Sequence, residues 1–171
     1  MWKWMCFRER APIAERAASE GSEECCWICH GASQPLVRGC ACPTSAHAVC
    51  MARWQLRRAG TREELRCRFC DQELSDWKAA LTPDGVVLPK TATMSVTLDG
   101  RTQLFITERG PEGRARFEAD VRRAFRLEGA HRLAFTFSVQ EPVTDDHIAI
   151  QGSYDAAFHC AALVAVRRGA I

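Results

Sequence analysis

The chain has little net charge, no long apolar run and no export-type leader, and each absence argues against a class of function. Formal charge is +2 over 171 residues, so no strong global field selects nucleic acid or a membrane surface as partner. No stretch approaches the roughly 18 apolar residues that a membrane helix needs. The opening MWKWMCFRER is apolar only briefly, is broken by Lys3 and lacks a small-residue cleavage site. Glu9, Glu15, Glu20, Glu23 and Glu24 do not suit an acid-poor organelle transit peptide. The expectation is a soluble cytoplasmic or nuclear chain with no transmembrane segment, in a compartment where thiols stay reduced. The length points to one or two small domains.

Cysteine, by contrast, is abundant and clustered. Eight of the ten cysteines lie between Cys25 and Cys70. A disulfide framework suits a small exported chain, whereas clustered cysteines in a reducing compartment hold metal. Four pairs stand out: Cys26 and Cys29 in CWIC, Cys40 and Cys42 in CAC, His47 and Cys50 in HAVC, and Cys67 and Cys70 in CRFC. Thiolate and imidazole are the donors zinc prefers, and four of them close a structural tetrahedral site. A two-residue gap lets one tight turn present both donors to the same ion. Eight donors therefore predict two structural Zn2+ ions. A segment of about 45 residues has little core of its own, so metal binding must supply much of its folding energy.

Around this block the chain divides by composition into a tail (1–22), a cysteine-rich finger (23–78), a linker (79–91) and a second domain (92–168). The tail shows some helical character around ERAASE and reads first as a frayed terminus, with Trp2, Trp4, Met5 and Phe7 as a docking patch the second reading. MARWQLRRAG reads as a short helix closed by Gly60. LTPDGVVLPKTA, with two prolines and a glycine, reads as the linker between two cores. Beyond it, Met94, Val96 and Leu98 alternate with polar residues, and Asp99-Gly100 signals a hairpin. Gly110-Pro111 opens a helix with Phe117, Val121 and Phe125 at i, i+4, i+8. Leu133, Phe135, Phe137 and Val139 predict a third strand, and Ile148 and Ile150 a fourth. SYDAAFHCAALVAVRR predicts a closing helix. The fold class is α+β throughout, the second domain having one sheet covered on one face by helix.

The ligand order, with one residue between the third and fourth cysteines, Ile28 inside the first pair, His30 after it and Trp54 four residues past Cys50, resembles the RING-CH zinc fingers of ubiquitin-protein ligases. The resemblance covers about a quarter of the chain. It implies that the pairs interleave, so that Cys26, Cys29, His47 and Cys50 hold one zinc while Cys40, Cys42, Cys67 and Cys70 hold the other. It also implies that Ile28 and Trp54 line a shallow groove for a ubiquitin-conjugating enzyme. Such a ligase is a transferase without a covalent intermediate and has no catalytic residue of its own. It positions the charged enzyme and ubiquitin for attack by a substrate lysine.

The second domain's order of hairpin, helix, two strands and helix resembles the β-grasp order of ubiquitin-like domains. DDHIAIQGSYDAA resembles the acidic motif of Phox-and-Bem interaction domains, with Asp145, Asp146, Asp155 and Glu141 as its acidic residues. The resemblance implies recruitment of a substrate or adaptor protein there. Arg53, Arg57, Arg58, Arg62, Arg66 and Arg68 read as a solvated face rather than a nucleic-acid site, diluted by Glu63 and Glu64. Cys25 reads as a bystander, and Cys6, His159 and Cys160 as structural. Asp71 stands where many active RING fingers carry a basic hydrogen-bond donor, so Asp71→Arg is expected to raise ubiquitin discharge. The alternative is a non-catalytic zinc-binding interaction or scaffold module. The short gap between Cys42 and His47 resembles PHD fingers, although Leu65 stands where those usually carry an aromatic residue.

Overall fold

The computed structural model describes residues 24–127, 129 and 132–169; the tail of residues 1–22 lies outside them. Those residues form an α+β fold of short antiparallel strand pairs and helices. In the finger, β1 (Leu36–Val37) pairs with β2 (Ala46–His47), which runs directly into α1 (Ala48–Arg57). A 3-10 turn at Arg62–Glu64 and a five-residue helix α2 (Trp77–Leu81) follow. Helix α1 buries Ala52, Gln55 and Leu56, an i, i+3, i+4 set along one face. It ends at Arg57, before the expected glycine stop. Gly60 has φ +85°, and a Cβ there would lie 2.4 Å from the Gln151 carbonyl oxygen. Glycine is required at 60 because finger and C-terminal half touch there backbone to backbone.

In the C-terminal half, β3 (Thr91–Leu98) and β4 (Arg101–Glu108) pair along their whole length. Asp99 (φ 50°) and Gly100 (φ 76°) are both left-handed, as a type I′ hairpin turn requires. Helix α3 (Gly110–Phe125) buries Phe117, Val121 and Phe125, the face its periodicity predicts. Strand β5 (Thr136–Gln140) begins later than expected, and Leu133 and Phe135 pack on the core from the segment before it. It pairs with β6 (His147–Gln151), after which Ser153 accepts from the Ala156 N–H and starts α4 (Tyr154–Arg167). No helix among the described residues is long and apolar enough to cross a membrane.

Two expectations need correction. The strands after residue 91 do not join into one sheet: among the described residues they form two separate hairpins, β3–β4 and β5–β6. Helix α4 packs against both β3 and β5, so the hairpins meet across a helix and not edge to edge. Nor does the stretch 79–91 separate two cores. One buried cluster takes Ala52, Leu56 and Ala59 from α1 and its exit, Trp77 and Leu81 from α2, and Met94, Phe117, Val121, Ile150, Tyr154 and Phe158 from the C-terminal half. The supposed start of the linker is α2. Asp76 caps it by accepting from the Lys78 N–H at 3.0 Å, and Trp77 is 1% exposed.

A charged pair reinforces this shared core. Arg53 on α1 donates from Nε and a terminal nitrogen to both oxygens of Glu141, at 2.8 and 2.9 Å, and Glu141 is fully buried. Thr144 Oγ1 donates to the same carboxylate. Bidentate geometry with a further donor is what offsets the desolvation of such a charge. Arg53→Ala, which strands the carboxylate, should cost about 3–5 kcal/mol. Denaturant unfolding should show one transition covering finger and C-terminal half together.

A second buried polar residue, His159, sits edge-on to Trp77 with ring centroids 5.3 Å apart, its Nε2 3.2 Å from Thr82 Oγ1. Burial, helped by the Lys78 and Arg109 cations and opposed by Asp76, lowers its pKa from 6.5 to about 4. The unfolded chain therefore takes up this proton before the folded one. Its contribution to stability is full above pH 6.5 and is lost as pH falls toward 4. His159→Gln should flatten that part of the pH dependence of the unfolding midpoint.

Candidate metal centres

The eight donors gather into two sets of four. Cys26, Cys29, His47 and Cys50 form one and Cys40, Cys42, Cys67 and Cys70 the other, with the donor atoms of each set within 4.8 Å of one another. First and third pairs share a set, as do second and fourth, so the chain crosses between the two. His47 Nδ1 lies 3.3 Å from Cys29 Sγ and 3.5 Å from Cys50 Sγ; Cys42 and Cys67 Sγ are 3.9 Å apart. A tetrahedron with metal–sulfur bonds of about 2.3 Å has edges of about 3.8 Å. The donors thus fit a tetrahedral cation that prefers soft ligands. His47 turns Nδ1 to the thiols, and its buried Nε2 has no hydrogen-bond partner among the described residues.

Local structure explains how the pairs are presented. CWIC and CRFC form the same knuckle. Cys26 N–H donates to the Gly31 carbonyl at 2.9 Å and His30 N–H to the Cys26 carbonyl at 2.8 Å. Cys67 N–H likewise donates to Gln72 and Asp71 N–H to Cys67, both at 2.9 Å. The residue closing each turn is left-handed, His30 at φ 61° and Asp71 at φ 60°, a conformation that histidine and aspartate tolerate better than most residues. His47 precedes α1 and Cys50 lies in its first turn, so the helix start sets that pair. Ala41 N–H donates to Gln72 Oε1 at 2.6 Å, tying the CAC loop to the second knuckle. The buried Gln55 amide donates to the Glu64 and Ser75 carbonyls at 2.8 and 2.9 Å, bracing α1 against the loop that carries Cys67.

The thiols are electrostatically divided. Burial pushes Cys26 and Cys67 up, but backbone N–H groups (of Cys29, His47 and Ile28 at Cys26, and of Cys70 and Phe69 at Cys67) outweigh it and bring both to about 7. Cys42, crowded first by Cys70, and Cys50, first by burial and then by Cys29, are pushed up to about 12. Within each set the protein therefore favours one thiolate, Cys26 or Cys67, and disfavours another, Cys50 or Cys42. A bound divalent ion reverses this by holding its thiol ligands deprotonated.

Beside the second set lies a shallow apolar groove lined by Trp27, Met51, Trp54, Phe69 and Leu74, with Arg68 at its rim. Trp27 and Trp54 meet edge to face at 6.4 Å, and the Arg68 guanidinium lies over the Phe69 ring at 5.4 Å. Trp54 is where the sequence suggested. Ile28 is half-buried and is not among the lining residues; its neighbour Trp27 is. Met51 and Phe69 were missed, although Met51 is three residues before Trp54 on one helix face and Phe69 sits inside the last knuckle.

Of the residues expected to stay outside the metal sets, Cys25 is exposed, while His159 and Cys160 are buried in the shared core. The acidic motif is partly engaged internally, with Glu141 on Arg53 and Asp145 2.6 Å from Arg167. Most of the finger's arginines are paired as well, Arg58 with Glu63 at 3.4 Å, and Arg62 and Arg66 with Asp71 at 2.5 and 3.7 Å.

Native mass spectrometry of the purified chain should show two bound metal ions, and Cys70→Ser, at an exposed ligand position, should lower the count to one. A mass deficit indicating disulfides would overturn the assignment of both sets. No family model, curated protein or solved structure matches this chain, so its function is argued from the geometry of these centres.

Proposed function

We propose that the two centres are structural zinc sites and that the finger is a RING-CH-type ubiquitin-protein ligase module. The observation that carries this reading is the interleaved pairing of eight donors with an apolar groove of tryptophans beside the second set. With four protein donors per site no coordination position is open for chemistry, so zinc supplies rigidity. The reaction is then one of positioning, in which the groove holds a conjugating enzyme while its thioester is attacked by a substrate lysine. The exposed Phe69 ring beside half-buried Trp27 and Trp54 suits a small apolar hot spot on that enzyme. The C-terminal half, which keeps the strand and helix order of β-grasp domains, is proposed to recruit the substrate or an adaptor.

Asp71 fits this reading better than its charge suggests. Its carboxylate is held by Arg62 and Arg66, so two guanidinium donors surround the position that follows the last ligand. Asp71→Arg would place a less tolerant residue at a left-handed position and set three cations together. Asp71→Asn keeps the backbone preference and removes the charge that holds the Arg62 and Arg66 guanidiniums, although Arg66 still donates to the residue 71 carbonyl at 3.1 Å. A hydrogen bond to a charged group is worth roughly 1.5–3 kcal/mol, so this change should speed ubiquitin discharge onto free lysine by about 10- to 100-fold. Affinity for the conjugating enzyme should stay the same.

The decisive experiment is autoubiquitination by the zinc-loaded chain across a panel of conjugating enzymes, with Trp54→Ala as the control. Activity that Trp54→Ala abolishes without zinc loss supports the ligase reading. Inactivity of the parent chain and of Asp71→Asn with every conjugating enzyme would favour the non-catalytic alternative, a PHD-like reader or adaptor.

A further inference from the structure

The β3–β4 hairpin turns one face to the core and leaves the other open among the described residues. Helix α3 packs on β4 from the Phe105 side, where that ring lies 5.8 Å from Phe117 and 6.4 Å from Phe125. The side chains between point the other way. Leu104 is 73% and Ile106 77% exposed, opposite Ser95 and Thr93 on β3. Core packing accounts for Phe105 and leaves this apolar pair unexplained.

The outer edge of β4 adds a backbone argument. The two-residue turn at Asp99-Gly100 is closed by a hydrogen-bonded pair, Leu98 and Arg101, and bonded pairs then alternate along the ladder. Gln103, Phe105 and Thr107 therefore bond to β3, while Thr102, Leu104 and Ile106 turn their N–H and C=O groups outward. Among the described residues no other strand pairs with β4, and no loop backbone bonds to those three. The outward run stops at Glu108, whose carbonyl accepts from the Tyr154 hydroxyl at 2.6 Å. Proteins ordinarily guard such an edge with charge, proline or a bulge. Between Arg101 and Glu108 there is no charged residue or proline, and the register with β3 is unbroken.

This edge is complementary to itself. A second β4 can run antiparallel along it with Leu104 opposite the partner's Leu104. Ile106 then lies opposite the partner's Thr102, and all three outward residues on each strand find a match. About six hydrogen bonds form across the two-fold axis, with the Leu104 and Ile106 side chains of both copies gathered on one face. The charged ends agree as well. Arg101 has no carboxylate partner among the described residues, and antiparallel pairing brings it to the end of the strand that carries the partner's Glu108.

We propose that this chain pairs with a second copy of itself through the β4 edge, joining two hairpins into one antiparallel sheet. The contact is small against the roughly 1,200–2,000 Å² of a stable interface, so the dimer is weak and builds up with concentration. Each dimer presents two fingers, and a partner that offers two sites binds it with avidity. The inference stands on β3 and β4 and is independent of what the finger binds.

The test follows the full, metal-loaded chain from low micromolar to millimolar concentration by analytical ultracentrifugation and by amide hydrogen exchange read by NMR. The expected result is a monomer–dimer equilibrium in which exchange at Thr102, Leu104 and Ile106 slows with concentration, while Gln103, Phe105 and Thr107 do not change. Leu104→Pro removes only an outward N–H, at the kind of position where edge strands accept proline. It should weaken dimerisation by about tenfold or more, as loss of a central hot spot does. Ser95→Lys, on the same open face but one strand in from the edge, should leave the dimer intact. A chain that stays monomeric at millimolar concentration overturns the proposal. Protection of the three outward amides already at the lowest concentration overturns it too, because the edge is then covered within one chain. A dimer that Ser95→Lys breaks and Leu104→Pro does not is joined through the face, which overturns the edge as the site. Where Leu104→Pro fails to fold, the concentration dependence of exchange at the three outward amides decides alone.

Discussion

Four soft donors within 4.8 Å of one another, twice over in one short segment, set the constraint on which the rest of this structure depends. Without a cation the crowded thiols differ: backbone N–H groups lower Cys26 and Cys67 to about 7, while the Cys70 thiol pushes Cys42, and burial pushes Cys50, up to about 12. A divalent ion at each centre turns that crowding into bonding. The crossing of the pairs means that neither set closes until the chain has passed through the other. Knuckles, CAC loop and α1 are therefore fixed together.

Helix α1 carries this order into the rest of the molecule. It starts at a ligand pair and then divides its surface. Arg53 holds Glu141, Trp54 lines the groove, and Ala52 and Leu56 enter the common core. Three kinds of contact within five residues, directly after the His47–Cys50 donor pair, tie groove and C-terminal half to one element. Breaking the Arg53–Glu141 pair costs more than an exposed ion pair because the buried carboxylate has no water to return to.

What was legible in the sequence was what is local. Ligand spacing is set by a single turn, so the four pairs could be read directly. Asp99-Gly100 and the Phe117, Val121, Phe125 periodicity are equally short-range, and both elements are found where they were expected. What was hidden is long-range. Helix α2 is a single short turn or so, in which Trp77 and Leu81 are too few to show a period. Glu141 read as part of an acidic surface because its partner is 88 residues away. The late start of β5 and the separation of the hairpins are matters of tertiary packing that no strand pattern reports.

Asp71 shows how these levels combine. Its backbone closes the knuckle in the left-handed region, as His30 does in the first, so the position is limited first to residues that tolerate that geometry. Its carboxylate then has a use that histidine could not serve, drawing Arg62 and Arg66 against the second knuckle. These pairs are exposed and contribute little to stability. Their effect is on where the two guanidiniums point. An acidic residue at this position therefore places positive charge beside Cys67 and Cys70, and the local field there is set by the pair of arginines as much as by the residue between them.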